Sequence, residues 1–172
     1  MTVNQAWISE KWESVETRYS IKGVLLDEST EYQHMQIVDT IAYGRMLLLD
    51  GIVQTTEKDE FFYHEMMVHP AALTHPDPRN ALIIGGGDGG ILREVLKYNT
   101  IENCTIVEID PNVVELCKKY LPGISRNAFD DSRTDLVIAD GAQFIKETDI
   151  RYDLVIIDSP ASTTGSRSAC SS

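Results

Sequence analysis

A glycine-rich turn between an apolar strand and a helical run constrains this chain more than any other feature. Ala81-Leu82-Ile83-Ile84 reads as a buried strand, Gly85-Gly86-Gly87-Asp88-Gly89-Gly90 as the turn, and Ile91-Leu92-Arg93-Glu94-Val95-Leu96 as the start of a helix. Gly85, Gly87 and Gly90 have the spacing of a dinucleotide-binding loop, in which missing side chains let the backbone turn tightly and approach a ligand. Asp88 changes what such a loop can hold, because it stands where a pyrophosphate would meet the helix N-terminus. Two unit charges about 4 Å apart at an effective dielectric near 20 interact by roughly 4 kcal/mol. The loop therefore disfavours NAD or ATP and favours a positively charged nucleoside, such as a sulfonium with an amine tail. A plain strand–helix turn with a solvent-facing Asp88 is the competing reading.

The segments on the C-terminal side of the turn set the fold class. Strand-like and helix-like runs alternate: helix 90–98, strand 105–109, helix 112–120, strand 136–139, helix 142–147 and strand 154–157. Repeated βα units with short connections predict an α/β fold with a doubly wound parallel sheet. The N-terminal side differs. Thr17 to Leu26, Tyr32 to Val38, Arg45 to Leu49 and Ile52 to Thr55 read as strands, with turn signals at Tyr43-Gly44 and Asp50-Gly51. From Asp59 to Ala72 the period becomes helical, with Pro70 expected to limit or kink the helix. The chain thus divides into a small antiparallel β subdomain (1–56), an α/β domain (57–159) and a tail of mostly Ser, Thr, Gly and Ala (160–172), read as disordered or non-native.

Ligands of open parallel sheets sit at the carboxyl ends of the strands. Those ends carry Gly85, Glu108 with Asp110, Asp140 with Gly141, and Asp158. Glu108 lies 18 positions beyond Gly90, close to the spacing at which an acid accepts from ribose hydroxyls. Asp110 precedes Pro111 and reads as a helix cap. Asp140 could accept from an adenine amino group, with Gly141 giving the base room, or could simply cap a helix. Asp158, in a crevice with other acids, is the candidate general base, its proton affinity raised by like charges and burial. Tyr63 and His64 could accept from a substrate ammonium, and packing explains them equally well. Gln33 on its own reads as a surface residue. His34, His69 and His75 show no metal-ligand spacing, and no metal is expected.

The chain has 27 acidic and 15 basic residues, for a net charge of −12. That opposes nucleic acid and anionic membranes as partners and suits a cationic substrate. Cys104, Cys117 and Cys170 lack metal-type pairing, and the first two read as packed thiols. No basic-then-apolar leader and no apolar run of membrane-spanning length is visible, so a cytoplasmic location is expected.

Several runs together resemble a known family. Leu49-Asp50-Gly51-Ile52-Val53-Gln54, Asp59-Glu60-Phe61-Phe62-Tyr63-His64-Glu65-Met66, the Gly85–Gly90 turn, Val107-Glu108-Ile109-Asp110 and Lys118-Lys119-Tyr120-Leu121-Pro122 are similar to the polyamine aminopropyltransferases, in particular bacterial spermidine synthases. The resemblance implies a Rossmann-like, methyltransferase-type domain behind a small β domain, assembled as homodimers or homotetramers. It implies transfer of an aminopropyl group from decarboxylated S-adenosylmethionine, a co-substrate, to putrescine, giving spermidine and methylthioadenosine. Carried onto this chain, it assigns Gln33, Glu108, Asp140 and Gly141 to the nucleoside. Asp88 would bind an amine of the aminopropyl donor or of the polyamine product, Tyr63 and His64 would line the polyamine channel, and Asp158 would bind the substrate and deprotonate the attacking amine.

The likeness stops after Ser159, where Ala161 stands in place of an expected second acid and Gly165 in place of a proline. The family's later strands and part of its polyamine pocket have no counterpart here. The ending is read as a frameshift, premature stop or sequence error, which leaves the strand Leu154 to Ile157 as an exposed edge and implies a destabilised chain with little activity. Two alternatives stand beside aminopropyl transfer: a methyltransferase-like protein, and a non-catalytic nucleoside-binding remnant.

Overall fold

The computed structural model describes residues 6–159, which form two sheets. The first is antiparallel, with strands in chain order: β1 (Ala6–Trp12), β2 (Val15–Ser29), β3 (His34–Thr40), β4 (Gly44–Leu49) and β5 (Ile52–Thr56). Both turn signals close hairpins. Asp50 and Gly51 take the left-handed backbone, φ 50° and 78°, that a two-residue turn between β4 and β5 demands. At the other turn the Thr40 hydroxyl accepts from the Tyr43 N–H at 2.8 Å and donates to the Gly44 carbonyl at 2.7 Å. The apolar run in β4 has a structural cause: both of its faces are covered. Leu47 and Leu49, with Met35 and Ile37, pack on one side, and Met46 and Leu48, with Ile21 and Val38, on the other.

The helix expected over 59–72 is α1 (Glu60–Thr74), and Pro70 does not end it. The carbonyl that loses its donor to Pro70 is that of Met66, a residue 70% exposed, where water can serve it. Beyond α1 lie β6 (Asn80–Gly85), α2 (Gly90–Val95), β7 (Asn103–Glu108), α3 (Pro111–Tyr120), α4 (Pro122–Ser125), β8 (Thr134–Ile138), α5 (Gly141–Glu147) and β9 (Leu154–Asp158). α2 is three residues shorter than its sequence pattern suggests. The four strands run parallel in the order β8-β7-β6-β9, an α/β, Rossmann-like sheet preceded by the antiparallel one.

Two cores hold these parts together. Val68 and Ala72 of α1 and Ile91, Leu92 and Val95 of α2 bury one face of the parallel sheet with Ile83, Ile106 and Ile156. Val113 and Cys117 of α3, with Leu121 and Ile124, pack against Met35, Ile37, Leu47 and Leu49 of the antiparallel sheet. That second core brings β3 and β4 against α3, beside the carboxyl edge of the parallel strands. Cys104 and Cys117 are buried free thiols, as their sequence setting suggests. Among the described residues, β9 pairs only with β6; Val155 and Ile157 on it are 50% and 61% exposed. No helix of the described residues is long and apolar enough to cross a membrane. The expected tail, with Ala161, Gly165 and Cys170, lies outside the described residues.

Candidate active site

The register Gly85↔Asp158 between β6 and β9, with β7 alongside, places the glycine turn, Glu108 and Asp158 at one sheet edge. There they open onto a cavity of about 740 Å³, within the usual size range of small-molecule sites. Gln33, Tyr63, His64, Asp88, Glu108, Asp140, Gly141 and Asp158 all line it, so the candidates read from distant parts of the sequence converge in space. Its polar lining holds four carboxylates and, among the described residues, no lysine or arginine.

Each carboxylate is fixed by a local cause. Glu108 Oε2 accepts from the Gly87 N–H at 3.1 Å and Oε1 from the Asp110 N–H at 3.0 Å, which orients the group and leaves acceptor capacity towards the cavity. Burial raises the Glu108 pKa, and those backbone donors partly oppose it. Asp110 caps α3, accepting from the Asn112 N–H at 3.0 Å, and its second oxygen takes the Gln33 amide at 3.3 Å. Gln33 is thereby held at the cavity rather than left on open surface. Asp140 caps α5 through the Ala142 and Gln143 N–H groups, at 2.8 and 3.0 Å, while also lining the cavity. Gly141 makes room in a way the sequence does not suggest: a Cβ there would collide with the Ile84 side chain of β6.

Asp158 accepts from the Tyr63 hydroxyl at 2.6 Å. Burial raises the Asp158 pKa from its ordinary value; the Tyr63 bond and the His64 charge oppose this, while the Asp88 charge adds to it. The phenol of Tyr63 is pushed up in turn, by burial and then by Asp158.

His64 differs most from its sequence reading. It is 1% exposed, with Nδ1 2.5 Å from Glu60 Oε2 and Nε2 3.3 Å from Asp88 Oδ2. Burial alone would lower its pKa, but the bonds and charges of Asp88 and Glu60 outweigh burial and raise it to about 9. It is therefore an imidazolium at neutral pH, a donor through both nitrogens. Asp88 is not the isolated charge that the loop suggests: Oδ1 accepts from the Gly90 N–H at 2.8 Å and Oδ2 faces this cation. Gly90 is required by the same arrangement, since a Cβ on it would overlap the His64 ring.

Sequence reasoning gave no role to three other residues. Gln54, from β5, lines the cavity. Glu60 and Arg93 form a bidentate pair at 2.9 and 2.8 Å behind His64, and Arg93 also donates to Glu94 Oε1 at 2.9 Å and to the Ile124 carbonyl at 2.6 Å. The one available signal for Arg93 was a cation inside the apolar run 91–96. His69 contacts the Tyr98 hydroxyl at 2.8 Å and Glu94 at 3.1 Å.

The His64 linkage makes a pH prediction. A pKa of about 9 against an unfolded value near 6.5 corresponds to about 3 kcal/mol of stabilisation, using 1.36 kcal/mol per unit. Because the folded value is the higher one, the full amount is present below pH 6.5 and is lost as pH rises towards 9. Denaturant unfolding at closely spaced pH values should show stability falling across that window, and His64→Asn should flatten the fall.

Fold and cavity together define an α/β protein that presents an acidic cavity at the carboxyl edge of a Rossmann-like sheet. Residues 60–170 match the spermine/spermidine synthase domain and residues 6–57 the spermidine synthase tetramerisation domain, and the chain belongs to the spermine/spermidine synthase family. A polyamine aminopropyltransferase of Clostridium tetani is 53% identical over 141 residues, 82% of this chain and 50% of that protein. Polyamine aminopropyltransferase 1 of Pseudomonas aeruginosa is 51% identical over 142 residues, 83% of this chain and 50% of that protein. Among solved structures, spermidine synthase from Thermotoga maritima superimposes with a TM-score of 0.88 at 40% identity, over 91% of this chain and 55% of that one. A spermidine synthase in complex with the transition-state analogue AdoDATO gives 0.90 at 40% identity, over 95% and 56%. The chain spans about half the length of the curated relatives it matches.

Proposed function

We propose that this chain carries the site for transfer of an aminopropyl group from decarboxylated S-adenosylmethionine to putrescine, giving spermidine and methylthioadenosine, with turnover below that of its full-length relatives. The observation that carries this reading is the cavity lining: four carboxylates against one cation, His64, and among the described residues no lysine or arginine, beside a glycine turn with room for close ligand approach. Such a lining repels phosphates and carboxylates and attracts a sulfonium, an ammonium or both.

In this reading Glu108 would accept from the ribose hydroxyls, and Asp140, Gly141 and Gln33 would hold the rest of the nucleoside. Asp88 would take an amine, of the donor or of the polyamine, and Tyr63 and His64 would border the acceptor path. The acceptor nitrogen attacks the methylene carbon bonded to sulfur. The N–C bond forms as the C–S bond breaks, the electron pair leaves on sulfur as a neutral thioether, and the nitrogen's proton passes to Asp158. A raised proton affinity at Asp158 suits that last step. Holding nitrogen and carbon in line contributes separately, through orientation. Ordinary S-adenosylmethionine would bring its carboxylate towards Asp88, which favours aminopropyl over methyl transfer. The match of residues 6–57 to a tetramerisation domain supports assembly of the protein as homodimers or homotetramers.

The test is product mass. Incubated with the decarboxylated donor and putrescine, the protein should yield spermidine and methylthioadenosine in equal amounts. A methylated amine formed from ordinary S-adenosylmethionine, without spermidine from the decarboxylated donor, would overturn the proposal.

A further inference from the structure

Behind the cavity runs a buried chain of alternating charge: Glu94, Arg93, Glu60, His64 and Asp88. Only its last two members line the cavity. Glu60 is locked from one side by the bidentate Arg93 and grips His64 from the other, so the imidazole has a single seat, with Nε2 directed at Asp88. We propose that Glu60, anchored by Arg93, is a positioning residue that holds His64 as a cation against Asp88 and thereby sets how much of the Asp88 charge is left for a cationic amine. This rests on the amine-binding reading of the cavity given above.

The groups facing His64 come from every element around it. Glu60 and Tyr63 stand on α1, the Tyr63 ring lying edge-on at 5.7 Å. Asp88 faces it from the turn after β6, and the charge of Asp158 on β9 is felt in the same region. Gly90, at the start of α2, packs against the ring and offers no charge. With His64 charged, an incoming ammonium competes with a cation already paired to Asp88. Once His64 is neutral, Asp88 is free of that competitor. Amine binding and His64 protonation therefore oppose each other, and linkage requires each to weaken the other by the same factor. The raised pKa of His64 puts the exchange within reach of mildly alkaline pH, where an alkylamine with a pKa near 10.4 is still largely cationic.

Glu60→Gln separates this role from bulk electrostatics. Losing the Glu60 charge leaves the burial of His64 opposed by Asp88 alone, so the ring becomes neutral at a lower pH, and where it does one negative and one positive charge are lost together. Arg93 keeps Glu94 as a partner. The experiment is calorimetric titration of putrescine into the full chain saturated with methylthioadenosine, from pH 7.5 to 9, alongside an NMR titration of His64 that needs no amine. In the unsubstituted chain putrescine affinity should rise about fourfold across the range, with proton release on binding; one unit of pKa coupling sets a limit of tenfold, reached only well above the His64 midpoint. In Glu60→Gln the His64 midpoint should fall towards the ordinary histidine value, putrescine should bind about tenfold tighter at pH 7.5, and both the pH slope and the proton release should vanish. Glu60→Asp should restore them in part. If Glu60→Gln lowers the His64 midpoint but leaves putrescine affinity and its pH slope unaltered, or lowers only stability, the inference is wrong while the amine reading stands. If the unsubstituted chain binds no putrescine at any pH, the amine reading itself fails and this inference goes with it.

Discussion

Arg93→Leu is expected to destabilise the folded chain by about 3–5 kcal/mol, the usual result of removing one partner from a buried ion pair. Denaturant unfolding should show a lower midpoint at an unchanged slope. Arg93 is 8% exposed and clamps three elements: its guanidinium donates twice to Glu60 on α1, once to Glu94 on its own helix, and once to the Ile124 carbonyl at the end of α4. Without it, Glu60 retains only His64, and Glu94, fully buried, retains Lys97 at 2.5 Å and His69 at 3.1 Å. Arg93→Lys should recover little, because a single ammonium cannot reproduce the planar fork on Glu60. Removing Glu60 and Arg93 together should cost less than Arg93 alone, since no carboxylate is then stranded beside α1. A loss below about 1 kcal/mol for Arg93→Leu would show that solvent screens this network despite its burial.

The second large effect concerns Asp158. Asp158→Asn should lower spermidine formation by about 10²–10⁴-fold relative to the unsubstituted chain, the usual contribution of a positioned base. Asparagine keeps the Tyr63 hydroxyl within hydrogen-bond reach at the 2.6 Å contact, so the fold should change little, and losing one of four carboxylates should weaken putrescine binding far less than turnover. The defect should appear in kcat rather than in putrescine affinity, because the proton moves only in the transition state. An equal loss in affinity alone would assign Asp158 to binding and leave the base unidentified.

The chain announces its strand-end acids and its glycine turn openly, because a parallel sheet buries continuous apolar strands and leaves ligand-facing residues at their ends. Gly85, Glu108, Asp140 and Asp158 could be picked out on that ground before any coordinates. Contacts between distant segments are a different matter. Gln33 reads as surface because its partner Asp110 is 77 positions away and is brought near only when β3 packs against α3. His64 reads equally well as packing or ligand, and it proves to be an ion-paired cation because α1 and the glycine turn meet at Gly90. Arg93 sits in an apolar run that says nothing of which acid it will meet. Pro70 misleads in the opposite direction, since the carbonyl it strands lies on an exposed side of α1 where nothing is lost. Local pattern carries architecture, while charge pairing across the fold emerges only from packing.

The most direct measurement compares Asp88→Asn with the unsubstituted chain against two ligands of the same nucleoside. Decarboxylated S-adenosylmethionine carries the sulfonium and the amine; methylthioadenosine carries neither. Calorimetry should show the charged ligand weakened roughly 10- to 100-fold, the range expected for losing a charged hydrogen-bond partner, with methylthioadenosine held within about twofold. Equal affinities of the two proteins for the charged ligand would contradict the view that an acidic turn selects a cation here.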